Sequence, residues 1–86
     1  MFRAAAASVT VRAVQLAFRR YLDTTPTGYL RRVRLEHAHR QLIAADPAHE
    51  TITAVAYRWG FSSSSRFGAY YRQAYGVTPN HTLHRD

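Results

Sequence analysis

The chain has 86 residues, enough for one small domain, and 47% of them are apolar, enough for a modest core. Twelve basic residues, all arginine, stand against five acidic ones, and the net charge of +7 favours a polyanionic partner, either nucleic acid or an anionic membrane surface. The absence of cysteine excludes disulfide scaffolds, thiolate zinc sites and a cysteine nucleophile.

Two helices are predicted in the first half of the chain. Thr10 is a suitable N-cap for the first helix, and the apolar residues behind it follow helical spacing. They are Val11, Val14, Phe18, Tyr21 and Leu22. Thr25 and Pro26 predict the start of a second helix, which runs to about residue 45, before Asp46-Pro47. We expect its inner face to carry Leu30, Val33, Ala38, Leu42 and Ile43.

Two shorter helices are predicted in the second half. One runs from Ile52 to Trp59 behind an N-cap at Thr51, and Gly60 is placed to end it in a left-handed conformation. The other begins after Ser63 and stops at Gly76. This layout is typical of a helix-turn-helix unit. Its predicted core is aromatic and consists of Trp59, Phe61, Phe67, Tyr71 and Tyr75.

The chain also repeats itself at a shift of 53 residues. This shift places Arg19 on Arg72 and the Thr25-Pro26 pair on Thr78-Pro79. The repeat predicts two copies of one supersecondary unit. The same shift maps Ile52 to Trp59 onto positions that begin before Met1 and end at Ala6. We therefore expect the first unit to lack most of its leading helix, with residues 1–4 supplying at most the last turn.

Three stretches resemble the DNA-binding domain of the AraC family of bacterial transcription regulators. They are Phe18-Arg-Arg-Tyr-Leu-Asp-Thr-Thr-Pro with Tyr29-Leu-Arg-Arg-Val-Arg-Leu-Glu, Thr53-Ala-Val-Ala-Tyr-Arg-Trp-Gly-Phe-Ser, and Phe67 through Tyr75-Gly-Val-Thr-Pro. The resemblance implies an all-α fold in which two homeodomain-like helix-turn-helix units are joined by a long linker helix. The expected parts of the domain 1–86 are a partial first unit at 1–22, the linker helix at 26–45, the second unit at 51–75 and a short segment at 78–86.

The same resemblance implies that two recognition helices enter successive major-groove segments on one face of double-stranded DNA. Geometry agrees with this, because a helix of about 20 residues is roughly 30 Å long. One turn of B-DNA is about 34 Å, so such a linker can set two readers one turn apart.

In the first unit, alignment with the family makes Arg12, Gln15 and Leu16 the groove-facing residues, with Arg19 one turn further along. Arg12 and Gln15 suit guanine and adenine edges, whereas Thr10 and Arg19 suit phosphate contacts. Leu16 offers only apolar contact, for instance to a thymine methyl. The alternative is an ordinary solvated helix face.

In the second unit, the candidate contacts open the second helix and continue along it. They are Ser63, Ser64, Ser65, Arg66 and Arg72, with Ser63 also expected as the N-cap. The alternative is that residues 62–65 form only a flexible turn with a cap. Thr82 stands where the family often has an aromatic residue, so we expect the C-terminal segment to be docked less firmly.

The predicted function is sequence-specific binding of promoter DNA in transcription regulation, with RNA polymerase as a further candidate partner. The alternative is a basic helical module that binds a protein or a membrane surface through residues 30–43. We expect no cofactor, metal or enzymatic activity, since no paired carboxylates, Ser-His-Asp pattern or metal-ligand cluster is evident. No effector domain and no membrane span are evident in the sequence, so a cytoplasmic, nucleoid-associated protein is expected.

Overall fold

A computed structural model describes residues 10–85, and these residues form helices and loops without any strand. The five helices are α1 (Val11–Leu22), α2 (Pro26–Ala44), α3 (Ile52–Arg58), α4 (Ser64–Tyr75) and α5 (Pro79–His84). The all-α prediction is confirmed, and each predicted helix is found within one residue of its expected ends. The short segment expected at residues 78–86 contains a helix of its own.

Side-chain caps explain where the helices begin. The hydroxyl of Thr10 accepts a hydrogen bond from the amide of Ala13 at 3.0 Å, and Ser63 accepts one from Arg66 at 3.1 Å. Thr51 and Thr78 cap α3 and α5 in the same way. Each cap satisfies an amide that has no partner within its own helix. The predicted caps are therefore confirmed.

The chain divides into two compact units, and the boundary lies between Arg31 and Arg32. Helix α2 begins in the first unit and ends in the second. Each unit has its own packing and is described below by itself.

The second unit contains the hydrophobic core, to which each of its four helical segments contributes. Aromatic rings form its centre: Phe67 and Tyr71 are fully buried, and the ring of Phe67 lies 5.0 Å from that of Phe61 and 5.7 Å from that of Tyr71. Trp59 and Tyr75 are partly buried against this cluster. The aliphatic part of the core comes from Leu35, Ala38, Leu42, Val55, Ala56 and Leu83.

The inner face of α2 differs from the predicted one. Leu30 and Ile43 are 47% and 46% exposed, whereas Leu35, which was not predicted, is 5% exposed. The buried residues of α2 are Leu35, Ala38 and Leu42, whose spacing of three and four residues defines one narrow stripe. Ile43 follows Leu42 directly and therefore points about 100° away from it. The apolar residues of α2 form two overlapping stripes along the helix. The stripe centred on Ala38 is the one that packs into the core.

Helix α5 is docked by a residue that was expected to loosen it. Thr82 is 4% exposed, and its hydroxyl oxygen accepts a hydrogen bond of 2.8 Å from the hydroxyl of Tyr71. A buried hydroxyl with a partner avoids the cost of an unsatisfied polar group. The expectation that Thr82 weakens this end of the chain was wrong, because a hydrogen bond replaces the aromatic contact.

The first unit has no comparable core among residues 10–31. No residue of α1 is buried, and Val11 and Tyr21 are 75% and 77% exposed. The ring of Phe18, which is half-buried, lies 5.7 Å from that of Tyr29. The predicted apolar stripe therefore forms no core among these residues, because only the first turns of α2 are available to cover it. The expected remnant of a leading helix, residues 1–4, lies outside the described residues.

The turn between α3 and α4 provides a first prediction. Gly60 has a φ of +87°, and an added Cβ would lie 3.2 Å from the guanidinium carbon of Arg34. We expect Gly60→Ala to lower the free energy of unfolding by more than about 1 kcal/mol, since alanine meets both backbone strain and this contact. The matched control is Gly68→Ala, because an added Cβ there meets nothing within 4 Å. In urea unfolding the control should gain about 0.5–1 kcal/mol from helix propensity. Equal effects of the two substitutions would contradict this explanation of the turn.

Candidate nucleic-acid interface

One face of α1 brings together the predicted contacts of the first unit. Arg12, Gln15, Leu16 and Arg19, together with Thr25, line an open groove of about 420 Å³. The four helical residues share a face because their spacing is three, four and seven residues. All of them are exposed. This groove therefore combines guanidinium, amide and hydroxyl groups on one accessible surface.

Helix α4 carries Ser65, Arg66 and Arg72, three of the five predicted contacts of the second unit, on the side away from its core. Phe67 and Tyr71 point inward, and at 100° per residue the opposite face holds Ser65, Ala69 and Arg72. All three are exposed. Arg66 is also exposed and lies beside this face. Burial of two aromatic rings thus fixes which residues of α4 meet the solvent.

The N-terminal turn of α4 is ordered by its cap. Ser63 is extended, with φ of −151° and ψ of 148°, and its hydroxyl holds the amide of Arg66. This geometry confirms Ser63 as the N-cap, which both interpretations of residues 62–65 predicted. Ser64 and Ser65 occupy the first turn of the helix, where unpaired amides and the helix dipole favour an anion such as phosphate.

Both candidate recognition helices carry only positive charge. Neither α1 nor α4 contains an aspartate or glutamate, whereas Arg12, Arg19 and Arg20 lie on α1 and Arg66 and Arg72 on α4. Among residues 10–85, these arginines have no ion-pair partner. Their guanidinium groups are therefore available to an external anion.

Three carboxylates of the second unit within residues 32–85 lie on other elements and have partners. Glu36 binds Arg40 at 3.1 Å on α2, and Glu50 binds Arg58 at 3.0 Å. The hydrogen bond from Arg58 lowers the pKa of Glu50. The backbone amide of Ala48, and then the ring of His49, lower the pKa of Asp46. Asp46 and Glu50 thus remain ionised near neutral pH without placing negative charge on α4.

The linker-helix arginines behave differently from the recognition-helix arginines. The guanidinium of Arg34 packs beneath the turn at Gly60, and Arg40 pairs with Glu36. For Arg34 and Arg40, contacts within the protein are therefore enough to account for the side chain without a DNA contact.

Sequence reasoning missed two polar residues near the candidate contacts. Thr25 lines the groove of α1, and its hydroxyl also accepts a hydrogen bond from the amide of Gly28 at 3.0 Å. Gln73 is exposed on α4, four residues after Ala69 and therefore on the same side. The spacing from Ala69 was the available signal for Gln73, whereas Thr25 had been interpreted only as a cap.

Two of the five histidines, His37 and His39, pack against aromatic rings. His37 stacks on Trp59 with ring centroids 4.8 Å apart, and His39 stacks on Tyr75 at 4.1 Å. Among residues 10–85 there is no group of three or more potential metal ligands. Within the same range, no helix is long and apolar enough to cross a membrane.

Comparison with known proteins agrees with this architecture. Residues 3–85 match a family model described as a helix-turn-helix domain. The structure is similar to the crystal structure of a probable AraC family transcriptional regulator from Rhodopseudomonas palustris CGA009, with a TM-score of 0.83 and 38% identity over 94% of this chain and 74% of that one. The chain belongs to the AraC-type helix-turn-helix family. A second AraC-type structure, from Chromobacterium violaceum, has a TM-score of 0.75 and 29% identity over 84% of this chain and 62% of that one.

Curated relatives of this AraC-type chain are bacterial regulators. It is 43% identical over 75 residues to the "Probable thc operon regulatory protein" of Rhodococcus erythropolis, covering 87% of this chain and 23% of that protein. It is 32% identical over 78 residues to the "HTH-type transcriptional activator RhaS" of Pectobacterium carotovorum, covering 91% of this chain and 27% of that protein. The chain thus spans about a quarter of the length of these relatives. The resemblance inferred from the sequence is confirmed.

Proposed function

We propose that this AraC-type chain binds specific sequences of double-stranded DNA by inserting α1 and α4 into the major groove, and thereby regulates transcription. On α1 the contacts are Thr10, Arg12, Gln15 and Arg19. On α4 they are Ser63, Ser64, Ser65, Arg66 and Arg72. Arg12, Gln15 and Arg66 read base edges, whereas the remaining residues hold phosphates. The partner is promoter DNA in the cytoplasm, at the nucleoid, with RNA polymerase as a second partner, and the role requires no catalysis.

The observation that carries this proposal is the charge of the two helices. Their exposed faces hold arginines without ion-pair partners among residues 10–85 and contain no acid, while Glu36 and Glu50 are paired on other elements. A surface of one sign attracts the phosphate backbone, and exposed arginine and glutamine side chains suit the edges of bases.

The direct experiment is selection of bound sequences from a random duplex pool, followed by gel shift with the enriched duplex. Enrichment of one motif would support sequence-specific reading. Equal retention of all sequences would contradict it.

The alternative of a basic interaction module has less support from α2, the segment on which it depended. Leu35, Ala38 and Leu42 are committed to the core, so their stripe is not available to a membrane, whereas Leu30 and Ile43 remain exposed. Co-sedimentation with anionic vesicles, run beside the gel shift, distinguishes the two functions. Vesicle binding without duplex binding would favour the alternative.

The salt dependence of binding gives a second prediction. If the two arginines assigned to phosphates, Arg19 and Arg72, each release condensed counterions, the logarithm of the association constant should fall with the logarithm of salt concentration with a slope of about −2. A fluorescence-anisotropy titration at several salt concentrations measures this slope. A slope near zero would mean that phosphate contacts do not drive the association.

A further inference from the structure

One buried contact chain links three helices of the second unit. The ring nitrogen Nδ1 of His39, on α2, lies 2.6 Å from the hydroxyl oxygen of Tyr71, on α4. The same hydroxyl donates to Thr82, on α5, at 2.8 Å. Since the proton of Tyr71 is used toward Thr82, the oxygen of Tyr71 accepts from the Nδ1–H of His39. The neutral imidazole therefore carries its proton on Nδ1.

His39 also holds the next turn of α4. Its ring stacks on that of Tyr75 with centroids 4.1 Å apart and planes inclined by only 13°. Tyr71 and Tyr75 are four residues apart, so one imidazole contacts two successive turns of the same helix face. A hydrogen bond to one ring and a stack on the next restrain the rotation of α4 about its axis.

Rotation of α4 matters because its inner and outer faces belong to one rigid element. Tyr71 and Arg72 are consecutive, and Ser65 and Ala69 lie opposite the buried rings. Any rotation that displaces Tyr71 from His39 moves these outer residues as well. Side chains that bind base edges need fixed positions, since hydrogen bonds weaken steeply with misalignment.

We infer that His39 is a positioning residue for DNA reading by the second unit, acting through its hydrogen bond to Tyr71 and its stack on Tyr75. The inference rests on the proposed DNA-binding function, to which it adds a residue that makes no DNA contact.

The charged groups around His39 explain the preference for the neutral ring. Burial, and then the positive charge of Arg85 after α5, lower the pKa of His39 below 6.5. The rings facing it from α4 are Tyr71 and Tyr75, both with a raised pKa and therefore uncharged. On α2 itself, Glu36 and Arg40 lie near Tyr75 as an ion pair. None of these groups supplies an unpaired negative charge to a protonated imidazole.

The direction of the pH effect follows from this lowered pKa. The folded state binds the proton of His39 more weakly than the unfolded state does. The stabilisation from neutral His39 is therefore fully present above pH 6.5, the ordinary value, and is lost as the pH falls toward and through the lowered value. Acidification should loosen the hold on α4 within that window.

The test compares the 86-residue wild type with His39→Asn and His39→Leu. The side-chain amide of asparagine places a donor near the position of Nδ1 but does not titrate, whereas leucine fills space without a donor. At about pH 7.5, where histidine is neutral, we expect His39→Asn to bind the selected duplex within about threefold of wild type. His39→Leu should lose about fivefold or more, the value of one hydrogen bond.

The pH profile provides a readout that a purely space-filling role would not change. On acidification to about pH 5.5, the affinity of the wild type should fall relative to that of His39→Asn. Because both proteins keep His37, His49, His81 and His84, the ratio of their affinities isolates His39. A corresponding difference should be measurable without DNA. On acidification, the free energy of unfolding should fall for the wild type in a way that His39→Asn does not show.

Failure of this inference can be separated from failure of the proposed function. Duplex binding by His39→Leu within about threefold of wild type at about pH 7.5 would overturn the role of His39 while leaving DNA binding intact. If wild type binds no duplex at any pH, the proposed function fails. In that case the free energies of unfolding, measured against pH, test His39. Parallel profiles for wild type and His39→Asn would contradict the proposal that His39 restrains α4.

Discussion

Phe67→Ala is expected to lower the free energy of unfolding by about 3–5 kcal/mol. The ring is fully buried and lies between those of Phe61 and Tyr71, so its removal leaves a cavity that the neighbouring rings cannot fill without leaving their own contacts. A chain of this length has a total stability of roughly 4–13 kcal/mol, so this single change removes much of it. Urea unfolding followed by circular dichroism measures the loss.

The control for this prediction comes from the first unit. Phe18 is only half-buried and has one close aromatic neighbour, Tyr29, at 5.7 Å. We expect Phe18→Ala to cost less than about 1.5 kcal/mol, because little apolar area leaves the water there. Similar costs for the two substitutions would show that α1 is packed as firmly as α4, contrary to the burial described above.

The sequence predicted the helix boundaries well because those boundaries depend on neighbours in the chain. Thr10, Thr51 and Ser63 each bind an amide three residues further on. Gly76 ends α4 with a positive φ, as expected from its lack of a side chain. These are short-range effects, and a single sequence contains all the information that they require.

Contacts between distant residues were harder to predict. His39 meets Tyr71 across 32 positions, and Tyr71 meets Thr82 across 11. The spacing of residues along the sequence does not indicate such pairs, because they depend on the angle at which α2 crosses α4 and on the docking of α5. The same limitation explains why Leu35 was missed on α2, where the choice between two apolar stripes is made by the elements that cover them.

The candidate interface could be predicted from the sequence only in part. The face shared by Arg12, Gln15 and Arg19 follows from helical spacing alone, once α1 is known to be a helix. The reading face of α4 required knowing that Phe67 and Tyr71 are buried, since this burial determines which residues point outward. Gln73 is the residue that this step adds.

Arg66→Ala should cause the largest loss of DNA binding among the proposed contacts. Arg66 is exposed at the start of α4, next to the capped turn, where a guanidinium can meet a base edge. A bidentate base contact is worth about 1–3 kcal/mol, so the affinity for the preferred duplex should fall about 5- to 150-fold and specificity should relax at one base pair. Gel shift against duplexes changed at single positions measures both effects.

Arg72→Ala should weaken all sequences alike, because a phosphate contact carries no base information. It should also make the salt slope shallower by about 0.9, the contribution of one phosphate. Arg40→Ala is the matched control for lost charge, since Arg40 is an exposed arginine on α2 already paired with Glu36. This control should change neither specificity nor affinity by more than about twofold.

Arg12→Ala should cost less than Arg66→Ala in the 86-residue chain. Both arginines are exposed, but α4 is fixed by the buried rings of Phe67 and Tyr71, whereas α1 has no buried residue to fix it. A reader on a loosely held helix must be ordered on binding, and this entropic cost reduces the net value of its contacts. Arg12→Ala could instead reduce the affinity more than Arg66→Ala in the same gel-shift series. In that case the burial of each helix does not determine how much it contributes to binding, and the smaller contribution assigned to α1 is wrong.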